Sequence, residues 1–323
     1  TLEYTLTGAN RGLVDYSKTI TEIHNGENIA YADFEHEKLV DDIYTLYVYV
    51  KDKAGNSYTE TITFSCNRFG SVFDLSQIQD MLGKFNQEER DLVIVETNVD
   101  PLDLSKVRIT LTKNGTPVDL VQGEDYTVTK IGGDGSWSQY TYVINKDLFS
   151  DDGTYSLYIY TEDEAGNINE NIDEAKEAQI SFGIDKTSPI VNAIDLADGV
   201  QYPVEGKTVT VEVKDNLLLE DVKIYLNGEE VSYTKDGENY IFDIPMSNRK
   251  QNVRIVATDS AGNEQELYVS DFLVTTNLFA RWYNNTPLFV GSLVGFGVLA
   301  GLLTRWIIIL VKRRKEDEEE QSA

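Results

Sequence analysis

Cysteine is almost absent from this chain: Cys66 is the only one in 323 residues. That excludes an intrachain disulfide, so whatever domains are present rely on apolar cores without a cross-sheet bridge. Cys66 shares a strand face with Phe64 and reads as a small buried hydrophobe. Histidine is nearly as scarce. His24 and His36 are the only two, both in a polar stretch and neither in a motif. They read as surface residues, and their scarcity removes the usual Cys/His zinc sets and any recognisable Ser–His or Cys–His nucleophile pair. No phosphate-cradling loop is present either: Ile131-Gly132-Gly133-Asp134-Gly135-Ser136 lacks the Lys-Ser/Thr ending and reads as a hairpin tip between Val128 and Tyr140. Basic residues are few, 28 against 55 acidic ones, for a net charge of −27 and a pI near 4.3. A globular part so acidic repels nucleic acid and anionic lipid. Carboxylates are in turn so common that neighbours such as Asp151 and Asp152, or Glu162 and Asp163, carry no glycosidase signal.

What is present in abundance is repetition. One phrase occurs three times, as Asp52-Lys53-Ala54-Gly55-Asn56, Asp163-Glu164-Ala165-Gly166-Asn167 and Asp259-Ser260-Ala261-Gly262-Asn263. The intervals are 111 and 96 residues, the length of one β-sandwich, so the chain reads as an array of like modules. Each phrase closes an alternating run: Tyr44, Leu46, Val48 and Val50; Tyr155, Leu157 and Ile159; Val253, Ile255 and Ala257. Period-two patterning buries one row of side chains and leaves the other outward, as a half-buried strand requires. The phrase itself is turn chemistry, because Asp bonds backbone two residues on while Gly and Asn tolerate positive φ. A return strand follows, carrying Phe64 and Cys66, Phe182 and Ile184, or Phe272 and Val274.

A second hairpin recurs upstream. Val107, Ile109 and Leu111 lead to Asn114-Gly115, and Val222, Ile224 and Leu226 lead to Asn227-Gly228, with Val118 and Val231 on the return. Asn-Gly between alternating apolar residues is a strong hairpin signal. The first repeat shows only the end of this element, Leu2 to Gly8, and no initiator Met precedes it. The expectation is that more ectodomain and an export signal lie upstream of Thr1.

On these residues the chain resembles the bacterial immunoglobulin-like repeat proteins of the cell surface. Asp185-Lys186-Thr187-Ser188-Pro189-Ile190 is similar to the family's opening phrase, and the Asp-x-Ala-Gly-Asn phrases to its close. The middle repeat departs from this, opening with Val93, Ile94 and Val95 before Asp100-Pro101. Asp151-Asp152-Gly153-Thr154-Tyr155 resembles the Greek-key corner in which a Tyr hydroxyl bonds back to nearby backbone; Tyr44 stands in the equivalent place, and Gln251 replaces the Tyr in the last repeat. The resemblance covers roughly residues 1 to 275 and implies an all-β fold of tandem immunoglobulin-like β-sandwiches in an extracellular setting, not a reaction.

Leu288 to Thr304 carries no charge, and after Arg305 the apolar run resumes to Val311, 24 residues in all. About 20 suffice to cross a bilayer as a helix. Lys312-Arg313-Arg314-Lys315 follows, against a lone Arg281 on the other flank, so the expected topology is a single-pass cell-membrane protein with its N-terminus outside and C-terminus cytoplasmic. Trp282, Tyr283 and Trp306 suit the two interfaces, and Arg305 snorkels toward the inner headgroups. Gly291, Gly295, Gly297 and Gly301 form two G-x-x-x-G pairs, the spacing of a helix homodimer, although glycine is also simply common in such spans. The acidic tail after Lys315 reads as a solvated stop. No Leu-Pro-x-Thr-Gly phrase precedes the helix; the nearest sequence is Asn284-Asn285-Thr286-Pro287, so membrane lipid around residues 288–311 is the expected hold.

The resulting domain reading is residues 1–66, a sandwich truncated at its N-terminal side; 67–90, a junction with a short helix begun by Ser76 and stopped by Gly83; 91–184 and 185–275, two sandwiches; 276–287, a juxtamembrane segment; 288–311, the membrane helix; and 312–323, the tail. No catalytic or cofactor-binding residue is expected. Calcium is the one metal considered, with Asp100, Asp103 and Asp185 near domain ends as candidate oxygen ligands, against their plainer reading as turn and cap residues. The functional expectation is a non-enzymatic surface stalk or presentation module. An adhesin that binds a host protein or polysaccharide through the sandwiches is the nearest alternative, and the anchor region of a surface enzyme with an upstream catalytic domain is the next.

Overall fold

The computed structural model describes residues 1–14, 18–20 and 39–321; His24 and His36 lie outside the described residues. The chain divides into two compact units, Thr1–Lys186 and Thr187–Ala323.

In the first unit, strand β1 (Leu2–Gly8) pairs with β2 (Gly12–Leu13), with β3 (Lys18–Ile20) and with β4 (Asp42–Lys51), which turns at Asp52 into β5 (Ser57–Cys66). Among the described residues this first repeat has one sheet. Its apolar row is well covered at Leu2, Leu6 and Tyr44 and uncovered farther along, where Val50 is 38% and Ile62 49% exposed. Tyr44 Oη donates to Val40 O at 2.7 Å, the corner bond expected of it.

The second repeat closes into two sheets. One contains β6 (Val72–Asp74), β8 (Leu92–Asn98), β12 (Ser138–Ile144) and β11 (Tyr126–Gly132). The other runs from β10 (Thr116–Asp119) through β9 (Arg108–Lys113), β13 (Gly153–Glu162) and β15 (Ile180–Ile184) to β7 (Phe85–Asn86), with β14 (Ile168–Glu170) on β13. The entry segment splits between them: β6 lies antiparallel to β8, and β7 lies parallel to β15. That is the immunoglobulin arrangement of a four-stranded sheet on a sheet of the C–F–G kind. The alternation read from sequence sets the core, with Ile109, Leu111, Tyr155, Leu157 and Ile159 facing Leu92, Ile94, Tyr140 and Tyr142. Phe149, Tyr155 and Phe182 pack ring on ring with centroids 5.2–5.5 Å apart.

The helix expected over 76–83 is instead a series of turns. Ile78 N donates to Leu75 O and Met81 N to Ile78 O, each at 2.9 Å, so Leu75, Ile78 and Met81 recur every third residue and all enter the second core. Asp74, not Ser76, opens the series, its Oδ1 accepting from Ser76 N at 2.8 Å. Three-residue spacing satisfies the local backbone while carrying all three apolar side chains into that core.

The second unit repeats the scheme. The first sheet contains β16 (Ile190–Ala193), β18 (Gly206–Lys214), β22 (Asn239–Pro245) and β21 (Thr234–Asp236). The second contains β17 (Gln201–Tyr202), β24 (Glu264–Val274), β23 (Gln251–Asp259), β19 (Leu219–Leu226) and β20 (Glu229–Glu230). Again the entry splits, β16 antiparallel to β18 and β17 parallel to β24. Both Asn-Gly hairpins have positive φ at both residues, 48° and 80° at Asn114 and Gly115, 53° and 91° at Asn227 and Gly228, the geometry that matches strand twist. Beyond β24, helix α1 (Leu278–Asn284) leads into helix α2 (Thr286–Gln321).

Candidate functional site

The three Asp-x-Ala-Gly-Asn phrases fold alike. In each, the Asp carboxylate accepts from the Asn backbone N–H four residues on, at 2.8 Å, and Gly takes φ of 96°, 88° or 90°. The Asn side-chain amide also donates back to the Asp carboxylate. The phrase is therefore a structural clip that joins adjacent strands, and Asp163 and Asp259 are buried in it.

Around Asp163 the clip grows into a buried polar cluster. Asn67, immediately after β5, donates through Nδ2 to Asn98 Oδ1, Asp100 Oδ2 and Asp163 Oδ2 at 2.8–3.0 Å. Ser71 N donates to Asn169 Oδ1 at 2.7 Å. Lys176 reaches the same segment, donating to Phe69 O and Ser71 O and lying 3.8 Å from the Phe69 ring centroid; burial holds its ammonium below the ordinary lysine range. At the centre is Glu96, fully buried, accepting from Ser71 Oγ, from Thr161 Oγ1 at 2.6 Å and from Tyr142 Oη at 2.7 Å. Burial pushes the Glu96 carboxyl up, against the pull of the three hydroxyls and the Lys176 ammonium. It pushes the Tyr142 phenol up as well.

These groups fix residues 67–71, the connection between the first and second repeats. Two carboxylates of the first repeat complete the seam. Asp41 Oδ2 accepts from Arg68 N and Phe69 N, and Asp42 Oδ1 accepts from Trp137 Nε1 at 2.9 Å. Burial raises the Asp42 carboxyl, but the Trp137 indole and three backbone N–H groups outweigh it and hold the group below the usual range. Chemically the cluster is closed. Glu96 has no exposed oxygen to act as a base, its three hydroxyl partners are donors to it, and no imidazole stands among these residues.

Of the sequence-expected calcium candidates, Asp100 is taken up by Asn67, and Asp103 caps a turn, its Oδ1 accepting from Ser105 N at 3.1 Å and Ser105 Oγ at 2.6 Å. Asp185 is buried, with its N–H donated to Asn86 O. Cys66 is half-buried, its thiol pushed up by burial, and Sγ lies 3.8 Å from Leu39 O. Glu96 and Asn98 are the residues that sequence reading missed. The signal was there, since both stand on the inward phase set by Leu92 and Ile94.

The other functional feature is α2. Residues Thr286–Arg314 are long and apolar enough to cross a membrane, and apart from Phe289 and Ser292, which α1 contacts, they are exposed. Gly291, Gly295, Gly297 and Gly301 have open space where a Cβ would stand.

No family model matches this chain, and no curated protein matches it. Among solved structures it is similar to the fibronectin(III)-like modules of Clostridium thermocellum CbhA, at 14% identity and a TM-score of 0.30 over 64% of this chain and 96% of that one. It is also similar to a tetra-tandem repeat in the extending region of a large adhesion protein, at 17% identity and 0.32 over 83% and 65%. A third likeness is to a structure from a 1.5-MDa bacterial ice-binding adhesin, at 18% identity and 0.24 over 85% and 86%. The fold assignment rests on the strand order and pairing described above.

Proposed function

We propose that this chain is a membrane-anchored surface repeat module: immunoglobulin-like sandwiches held at the cell surface by α2, acting as a stalk or presentation element without catalysis of their own. The observation that carries this is the pairing of separately cored sandwiches with a 29-residue helix stretch, apolar enough to span a bilayer, in which no residue of the apolar window is buried. Such a surface is tolerated in lipid and not in water. The four basic residues 312–315, just beyond the apolar run, support a tail inside and sandwiches outside. The clipped turns and the closed Glu96 cluster support the spacer role, since their polar groups bind each other and present nothing to a substrate. The reading includes a homodimer through Gly291, Gly295, Gly297 and Gly301, to be tested by sedimentation of the detergent-solubilised chain against a Gly295→Ile, Gly301→Ile variant. The anchoring itself is tested by alkaline extraction of membranes expressing the chain. Retention in the pellet, and release once α2 is replaced by a polar sequence, is the expected result; release of the unmodified chain refutes it.

An adhesive reading has one observation in its favour. Val40, Phe69 and Val72, each 48–49% exposed, line a cleft with Trp137 in the first unit. Binding of a polysaccharide or host-protein panel that is lost in Phe69→Ser would favour it.

A further inference from the structure

The structure also bears on how the last sandwich meets the membrane. After β24 the chain does not pass through a loose tether. Asn277 caps α1, its Oδ1 accepting from Phe279 N at 3.0 Å and Ala280 N at 3.2 Å. One face of this short helix is sewn to the sandwich. Ala280 is buried, Gln201 Nε2 donates to Arg281 O at 2.9 Å, and Asn284 Nδ2 donates to Asn248 O at 3.3 Å. Asn248 is itself held, its Oδ1 accepting from Thr275 Oγ1 at 2.9 Å.

The opposite face is apolar and uncovered: Leu278 is 75%, Phe279 69% and Tyr283 58% exposed. A protein normally hides three such neighbours, and these stand within ten residues of the start of the apolar run at Leu288. The turn from α1 into α2 is also fixed. Asn285 Oδ1 accepts from Leu288 N at 3.1 Å, and Trp282 Nε1 donates to Ser292 Oγ at 3.1 Å across the bend. Phe279, Trp282, Phe289 and Tyr283 form a continuous ring contact through it, with centroids 4.9–5.5 Å apart. At about 1.5 Å per residue the run from Leu288 to Val311 reaches about 36 Å, enough for the ~30 Å hydrocarbon core with none of α1 needed for the crossing.

We infer that α1 lies in the outer headgroup region of the bilayer, with Leu278, Phe279 and Tyr283 facing lipid, so that the last sandwich is seated on the membrane through a rigid elbow. The occupant of the apolar face is lipid because the face continues directly into the membrane helix and joins the apolar Leu278 and Phe279 to Tyr283, whose ring and hydroxyl suit the headgroup boundary. The inference rests on the proposed spanning by α2.

The test is electron paramagnetic resonance of the full chain in phosphatidylcholine vesicles, in a Cys66→Ala background. Nitroxides are attached singly at Leu278→Cys and Tyr283→Cys in the foot and at Leu299→Cys in the span. Collision with dissolved oxygen reports lipid, and collision with a water-soluble nickel chelate reports solvent. The expected result is oxygen-dominated relaxation at all three sites, shallower at 278 and 283 than at 299. Nickel access at 278 and 283 with oxygen access at 299 overturns the inference and leaves the spanning reading intact. Nickel access at all three overturns both. Foot labels shielded from both reagents mean that protein covers the face, which also overturns the inference.

Discussion

Replacing Glu96 with Ala removes the acceptor of three buried hydroxyls, those of Ser71, Thr161 and Tyr142. Each orphaned donor costs about 1–3 kcal/mol. Rotation of the hydroxyls toward other acceptors offsets part of this, leaving a net loss of about 3–5 kcal/mol. Glu96→Gln separates lost hydrogen bonding from lost shape. Its Oε1 still accepts from Ser71 and Thr161, while its amide nitrogen meets Tyr142 Oη donor to donor, so one buried hydrogen bond is lost at about 1–3 kcal/mol, less than in Ala. The pH dependence has a definite sign. Burial raises the carboxyl of Glu96 in the folded state above the ordinary 4.5, so the stability it contributes is full below that ordinary value and is lost as pH rises through the raised one. The gap between wild type and Glu96→Gln should therefore move in favour of Gln as pH rises through that window. Urea unfolding followed by the emission of Trp137, in a Trp282→Phe, Trp306→Phe background, reads the first unit alone. A Glu96→Ala loss below about 1 kcal/mol, or a Gln variant as damaged as Ala, refutes the cluster's role in holding the junction.

Asp259→Ala deprives Ala261 N, Asn263 N and Asn263 Nδ2 of their acceptor, and should destabilise the second unit by about 1–3 kcal/mol in thermal unfolding, whereas Asp52→Ala in the exposed clip should cost less. Tyr155→Phe removes the 2.6 Å bond to Asp151 O and should cost about 1–2 kcal/mol by urea titration. Gly183→Ala places a Cβ 2.2 Å from Phe85 Cδ1, so the Phe85 ring must shift and loosen β7 on β15; a loss of about 1–3 kcal/mol with faster amide exchange at Gly183 and Asp185 is expected.

Much of this architecture was legible in the sequence because it is made of local rules. The turn phrase, the Asn-Gly hairpins, the alternating strands and the Tyr44 and Tyr155 corners each depend on a few adjacent residues. What was not legible depends on partners far along the chain. The segment 76–83 carries a helical pattern of starts and stops, but its apolar residues answer to the second core, which takes Leu75, Ile78 and Met81 on successive turns. Glu96 sits on the inward phase of β8, and only the fold shows that Ser71, Tyr142 and Thr161, 25 to 65 residues away, meet it. Asn67 opens the junction expected over 67–90, and only the fold shows that its amide draws Asn98, Asp100 and Asp163 together. In the third sandwich the corresponding strand β18 carries no inward carboxylate, its inward row being Val209, Val211 and Val213. The foot helix was visible only as flanking aromatics, since its seam to the sandwich runs through Gln201 and Asn248.

A surface array on one spanning helix must have its sandwiches and its tail on opposite sides of the membrane. In intact cells expressing a Cys66→Ala chain, a membrane-impermeant maleimide should label Ser156→Cys on the outward face of β13 and spare Ser322→Cys in the tail until the membrane is permeabilised. Labelling of the tail in intact cells, or protection of both positions, contradicts a surface array on a single spanning helix.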